Sequence, residues 1–357
     1  MAAPATPRPG PPGAPAVEAW LQAVREQIEP ALAALLDLPD EERVDARWSR
    51  ALAAAREYVL RPAKRLRPAL VLAGWELASG GAPPPDGVWR MSAALELLHA
   101  FLLVHDDVAD AADTRRGGPA LHLVLGSGRR GRDLAVVVGD HLFSRAVEAM
   151  LASGLAKAPE VVRYYLGVCR LTAAGQFLDL ELSGAPLRDV TLFQTLKIAL
   201  LKTARYSFAA PLVVGARLGG AGNDLTGALE RLGRQVGLAF QLRDDLLGLF
   251  GSPALTGKPA ADWLEGKPTF PVVAAYTRAP TAARREIETL WRAGIDDLRI
   301  RARLRELIDT HGGRAATEHA MARTARAARR TVDGLPVCET ARGRLDALVV
   351  SITTRHG

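Results

Sequence analysis

The stretch "HAFLLVHDDVADAADTRRGGPALH", His99 to His122, decides how this chain is read. An apolar run, Phe101 to Val104, leads through His105 straight into Asp106 and Asp107, with Asp110 close behind. In a helix, residues four apart return to within about 40° of one another. Asp106 and Asp110 therefore share a face, and Asp107 flanks them. Carboxylates crowded in this way repel, so positive charge must sit among them. Hard divalent cations suit such a cluster. Magnesium takes one or two protein carboxylates and completes its shell with water and substrate phosphate.

A second acidic cluster, Asp244 and Asp245 in "AFQLRDDLLGLFG", follows another long apolar segment, with Gln241 four residues before Asp245. Cations surround both clusters in sequence. Arg115 and Arg116 trail the first, and Lys64, Arg65 and Arg67 stand in "RPAKRLRPAL". Lys202 and Thr203 interrupt the apolar "LLKTARYSF", while Lys258 and Lys267 lie in "LTGKP" and "EGKPT". Metal-gathering acids beside several separate cations fit a polyanion such as a diphosphate, which Arg grips bidentately and Lys meets as a point charge. No phosphate-cradling GxxxxGK[ST] loop is present, which argues against a nucleotide.

Around these motifs the chain reads as all-α. Of its 357 residues 48% are apolar and only 5% aromatic, enough for one sizeable core. Long segments without β-branched alternation run between Gly- and Pro-rich breaks, and their apolar content on more than one face suits a large bundle with buried central helices. The first 16 residues, "MAAPATPRPGPPGAPA", have the composition of a disordered tail, leaving 17–357 as a single domain. The net charge of +7 resides largely in Arg-rich stretches such as "RIRARLRELI", whose helical spacing and interspersed acids read as solvated faces. We therefore expect no nucleic-acid partner. Cys169 and Cys338 have no metal-ligand spacing and suit a reducing compartment, so a cytoplasmic location is expected. No run of 18 apolar residues occurs, and no membrane span is expected.

The ordered motifs resemble those of the trans-polyprenyl diphosphate synthases. "AKRLRP" is similar to that family's GGKRxRP segment, and His99 to Pro119 to its first aspartate-rich region with the trailing Arg pair. "VVGDHLFSRA", "GQFLDL", "LKTA", "FQLRDDLLG" and "TGKPAADWLEGK" follow in the family's order. The resemblance implies a single helical bundle around a central cavity, of isoprenoid synthase type. It implies head-to-tail condensation of isopentenyl diphosphate with an allylic diphosphate, and pairing as a homodimer. Asp106, Asp110 and Asp244 would be ligands of three Mg²⁺ ions, supported by Asp107 and Asp245. Arg115, Lys202 and Lys258 would hold the allylic diphosphate, with Lys267 a further cation for substrate. Lys64, Arg67, His99 and Arg116 would hold isopentenyl diphosphate without metal. Thr203 and Gln241 would sit near the reacting carbons, and Gln176 with Asp179 would order the lower cavity and the metal shell.

Three positions depart from the family pattern: Pro62-Ala63 replaces a glycine pair, Gly248 a third aspartate, and Pro268 a common arginine. Phe101 lies five residues before Asp106, about 7.5 Å deeper along a helix, with Leu102 beside it. The resemblance makes this pair the floor on which the growing chain stops and favours geranylgeranyl over farnesyl diphosphate. A catalytically weak partner subunit of such a synthase is an alternative. A terpene cyclase, which shares the helical fold, would need an Asn/Ser/Glu metal triad. "NDLTGALE" has the wrong spacing and precedes the second acidic cluster.

Overall fold

The computed structural model describes residues 14–37, 39–251, 266–292 and 297–354. It is helical almost throughout, as the composition predicts. The first helix, α1, spans Ala14–Leu35, so helical structure begins inside the segment whose composition reads as tail. Next come α2 (Ala46–Leu60), α3 (Leu66–Ser79) and α4 (Asp86–Ala109). The side chain of Asp45 accepts the Arg47 N–H and caps α2.

α4 is the central helix. Every residue from Met91 to Ala100 is buried, the all-round apolarity of a helix surrounded by others. By length and composition it could cross a membrane, but 67% of its apolar window is covered inside the bundle. Its apolarity is accounted for by packing against α1, α3 and α6 (Gly128–Leu151).

A short hairpin joins α4 to the five-residue α5 (Leu121–Leu125). Thr114 pairs with Pro119 and Arg115 with Gly118. The turn residues Arg116 and Gly117 both have positive φ, 52° and 76°. Two left-handed central residues are what a type I′ turn requires, and they turn successive arginines to different surroundings.

After α6 come α7 (Ala158–Leu182) and α8 (Leu192–Ile198), the latter opened by a Thr191/Gln194 capping box. α8 runs into a π-helix, Ala199–Ala209, and then α9 (Ala210–Leu218). At the end of the wide segment the Ala210 N–H donates to Arg205 O, five residues back. Pro211, with no N–H to give, follows directly. α10 (Asn223–Phe250) packs along the π-helix. Gly233 and Gly237 permit this closeness, since a Cβ at either would fall inside the backbone of Ala209 or Ala204.

The remaining helices, α11 (Phe270–Arg278), α12 (Thr281–Arg292), α13 (Leu298–Thr310), α14 (Gly313–Asp333) and α15 (Glu339–Thr354), wrap the end of the bundle. Leu249 of α10 packs with Val272, Ile287, Trp291, Leu304 and Ile308 in a second, smaller core. Between α4, α7, the π-helix and α10 the bundle encloses a cavity of about 1360 Å³.

Candidate active site

Asp106 and Asp110 line the mouth of this cavity from the C-terminal end of α4, as their spacing predicts. Asp179 of α7 and Asp244 of α10 line it from other sides. What neutralises Asp106, Asp110 and Asp179 is lysine, while Arg243 lies 3.6 Å from Asp244. Lys202 Nζ lies 2.7 Å from Asp179 Oδ2 and 3.2 Å from Asp106 Oδ1. Lys267 Nζ lies 2.9 Å from Asp110 Oδ2 and 3.7 Å from Asp179. Two ammonium groups thus stand among three carboxylates, at positions where cations are stabilised.

The two aspartates of α4 differ electrostatically. Burial pushes Asp106 up, but Lys202, Arg115 and Lys267 outweigh it and hold the carboxyl below its ordinary range. Burial raises Asp110, and the adjacent charge of Asp106 adds to it against Lys267 and Lys202. Lys202 is held above its usual value because Asp106 and Asp179 outweigh its burial.

Asp107 does not join this mouth. It is 1% exposed, absent from the cavity lining, and saturated from behind. Tyr58 of α2 donates to Oδ2 at 2.7 Å, and Arg115 donates to Oδ1 through Nε at 2.7 Å and through a second guanidinium nitrogen. Asp107 therefore departs from direct sharing of the metal site: its charge orients Arg115, whose guanidinium reaches the mouth 3.6 Å from Asp106. No sequence signal pairs Tyr58 with Asp107, which lie on different helices.

Asp245 reaches the cavity wall, but its carboxylate is also engaged. It accepts from Gln241 Nε2 at 2.9 Å and from the Phe270 N–H at 3.4 Å. Gln241 Oε1 in turn accepts from Thr203 Oγ1 at 2.8 Å. This relay commits the Thr203 hydroxyl hydrogen to Gln241. The Thr203 oxygen keeps its lone pairs for the cavity, a donor of electron density and not of a proton. These contacts fix Gln241 against Asp245.

The π-helix explains how one segment supplies so many lining groups. Ile198-Ala199, Lys202-Thr203 and Tyr206-Ser207 all face the cavity, in doublets four residues apart. In an α-helix that spacing would drift by about 40° per turn. The wider turn leaves each four-residue step short of a full turn instead of past it, so the doublets still share one side.

A second charged station lies beside the first. Lys64, Arg67 and His99 line it. Arg67 donates to Ser207 Oγ at 2.7 Å and lies over the Tyr206 ring at 5.0 Å. Among the described residues, buried Arg67 Nε and His99 Nδ1 have no hydrogen-bond partner, nor does Gln176 Nε2 further along the wall. Burial, then Arg67, Arg116, Arg115 and Arg65, depress His99 well below its ordinary value, so the ring is neutral. Cationic side chains with unspent donors form a pocket for an anion that needs no metal.

Arg116 bonds instead to Glu96 Oε1 at 3.2 Å and Val59 O at 3.3 Å. It does not line the cavity, which departs from direct contact with substrate. Fully buried Arg65 shares Glu96 at 3.0 Å and binds Glu29 at 2.7 Å. Glu96 was absent from the expected set. Its signal was an acid in the apolar run "AALELLHAF", the same logic that singled out Asp106. Lys258 lies outside the described residues.

Below the charged groups the cavity is apolar, with Phe101 and Leu102 in its wall. No three carboxylate or histidine groups converge on a single point among the described residues. Ions shared with a substrate phosphate do not require that, because each needs only one or two protein oxygens. Asp106, Asp110 and Asp244 fit Mg²⁺ on this ground, and at Asp106 and Asp110 on the lysine ammonium groups that already stand beside them.

An acidic mouth beside a metal-free cationic pocket, both opening on one apolar cavity, defines a helical enzyme that handles diphosphate esters of hydrocarbons. Comparison with known proteins narrows the class. Residues 49–306 match the Polyprenyl synthetase family model. A short chain isoprenyl diphosphate synthase of Methanothermobacter thermautotrophicus is 34% identical over 76% of this chain and 79% of its own length. A geranylgeranyl diphosphate synthase of Mycobacterium tuberculosis is 38% identical over 64% of this chain and 63% of its own. Among solved structures, a geranylgeranyl pyrophosphate synthase from Corynebacterium glutamicum, complexed with isoprenyl diphosphate and magnesium, superposes with a TM-score of 0.84. It is 31% identical, with 95% of this chain and 99% of that one covered. The chain belongs to the polyprenyl synthetase family and is a Mg²⁺-dependent, short-chain trans-prenyl diphosphate synthase.

Proposed function

We propose that the product is geranylgeranyl diphosphate, built by successive additions of isopentenyl diphosphate to allylic primers. The observation that carries this reading is the pair of charged stations above one apolar cavity with Phe101 in its wall. Asp106, Asp110 and Asp244 would hold three Mg²⁺ ions, which supply Lewis-acid stabilisation of the departing diphosphate. Lys202 and Lys267 would release their aspartates and turn to phosphate oxygens, joined by Arg115 and Lys258. Lys64, Arg67 and neutral His99 would hold isopentenyl diphosphate, with Arg116 positioned through Glu96.

The allylic C–O bond breaks and its electron pair leaves with the diphosphate. The lone pair of Thr203 and the amide of Gln241 face the developing allylic cation. The double bond of isopentenyl diphosphate attacks it, and a proton is lost to the released diphosphate. The apolar walls keep out water, which would quench the cation. Phe101 and Leu102 form the floor that ends growth.

The enzyme works in this reading as a cytoplasmic homodimer. Leu134, Val136 and Val137 of α6 with Leu171, Phe177 and Leu180 of α7 are exposed apolar residues suited to pairing. Free Cys169 and Cys338 suit a reducing compartment, and burial pushes the Cys169 thiol up to about 12, leaving it unreactive.

Incubation with Mg²⁺, isopentenyl diphosphate and, separately, dimethylallyl, geranyl and farnesyl diphosphates tests the assignment. Chromatography of the dephosphorylated products should show geranylgeraniol from each primer. Farnesol as the end product would overturn the chain length. Absence of condensation with every primer would favour the weak partner subunit.

A further inference from the structure

His105, one residue before the first aspartate pair, lines the same cavity as Phe101. The two are one turn apart on α4, and their rings meet edge-on at 4.6 Å. On its far side the imidazole is seated on α6. Nε2–H donates to Val136 O at 3.2 Å, and the Asp140 carboxylate lies 3.6 Å away. A carbonyl only accepts, so the contact fixes the proton on Nε2 and the ring's orientation.

The seat exists because residue 139 is glycine. A Cβ there would fall 2.5 Å from both Cδ2 and Nε2 of His105. The imidazole is therefore wedged between the backbone of α6 and the Phe101 ring. Phe143, also on α6, meets Phe101 at 5.2 Å from a second direction. The Phe101 ring is thus packed against both His105 and Phe143.

We infer that His105, seated on Gly139, is a positioning residue that sets the depth of the Phe101 floor and hence the length at which elongation stops. The inference rests on the reading of Phe101 as the floor. Its chemistry is steric: the occupant of the neighbouring space is the last isoprene unit of the growing chain. Removing the imidazole gives Phe101 space to swing back and the chain space to lengthen. Adding a methyl group at 139 drives the imidazole off its seat toward Phe101 and shortens the chain. The two changes act in opposite directions, which a general loss of fold would not do.

The test compares Phe101→Ala, His105→Ala and Gly139→Ala with the parent enzyme, reading the distribution of dephosphorylated products and checking helicity by circular dichroism. Phe101→Ala and His105→Ala should each move the main product up by at least one C5 unit, and Gly139→Ala should move it down. His105→Phe, which keeps a ring without the donor, should retain the parental length. If Phe101→Ala lengthens the product while His105→Ala and Gly139→Ala leave it unchanged, the role of His105 is refuted and the floor stands. If Phe101→Ala itself produces no shift, the floor reading fails and takes this inference with it. Should His105→Ala not fold, Gly139→Ala alone decides, and an unchanged product from it refutes the wedge.

Discussion

Asp106 and Asp107 are adjacent in sequence and opposite in use. Asp106 opens on the cavity with a cation at 3.2 Å, while Asp107 is sealed behind α4 by Tyr58 and Arg115. Asp107→Ala would leave Tyr58 and Arg115 without their shared buried acceptor and should cost about 1–3 kcal/mol of stability, visible in denaturant unfolding. Asp106→Ala should instead lower kcat about 100-fold or more, with little change in the unfolding midpoint. Equal effects of both on stability would show that the division is misdrawn.

His99 provides a pH signature. Burial and its arginine neighbours keep it neutral in the folded protein, whereas an unfolded histidine takes up a proton below about pH 6.5. Below that value the unfolded state binds more protons, so stability falls on acidification by up to about 1.4 kcal/mol per pH unit. His99→Gln should flatten the stability profile between pH 6.5 and 5 relative to the parent, and parallel profiles would refute the buried neutral imidazole. The sequence could single out His99, Asp106 and Asp110 because each is a polar group in an apolar helix. It could not separate Asp107 from Asp106, since helical spacing leaves a flanking residue free to face either way until Tyr58 arrives from another helix.

Among the elements, α4 and α10 were legible from their long apolar runs and terminal acids. The π-helix was not, because its wider turn arises from packing and from Pro211 and leaves the apolar pattern of "LLKTARYSF" readable as an ordinary helix. Its function depends on closeness to α10. Gly237→Ala places a methyl group inside the Ala204 backbone and should destabilise the protein by about 1–3 kcal/mol through overpacking. Because it separates the two helices that carry the Thr203–Gln241–Asp245 relay, kcat should fall while the KM for isopentenyl diphosphate, held by Arg67 and His99, stays within about twofold of the parent. Equal losses in both parameters would show that the relay is not the affected part.

Taken whole, the molecule divides its charge by depth. Acids ring the mouth, arginines gather beside it, and the far cavity is apolar. The feature that no motif announced is on the outside: Val137 of α6 and Leu171 of α7 are exposed apolar residues. Val137→Arg should convert a dimer to a monomer in light scattering, and a parent protein that is already monomeric would refute the pairing face. The most direct test of the central claim is a single-turnover reaction of farnesyl diphosphate with radiolabelled isopentenyl diphosphate and Mg²⁺, in the parent enzyme and in Asp106→Ala. Label should pass into a C20 diphosphate with the parent and be almost lost in the variant or with a chelator. No label transfer by the parent, or transfer undiminished in Asp106→Ala, would contradict a metal-assisted condensation at this mouth.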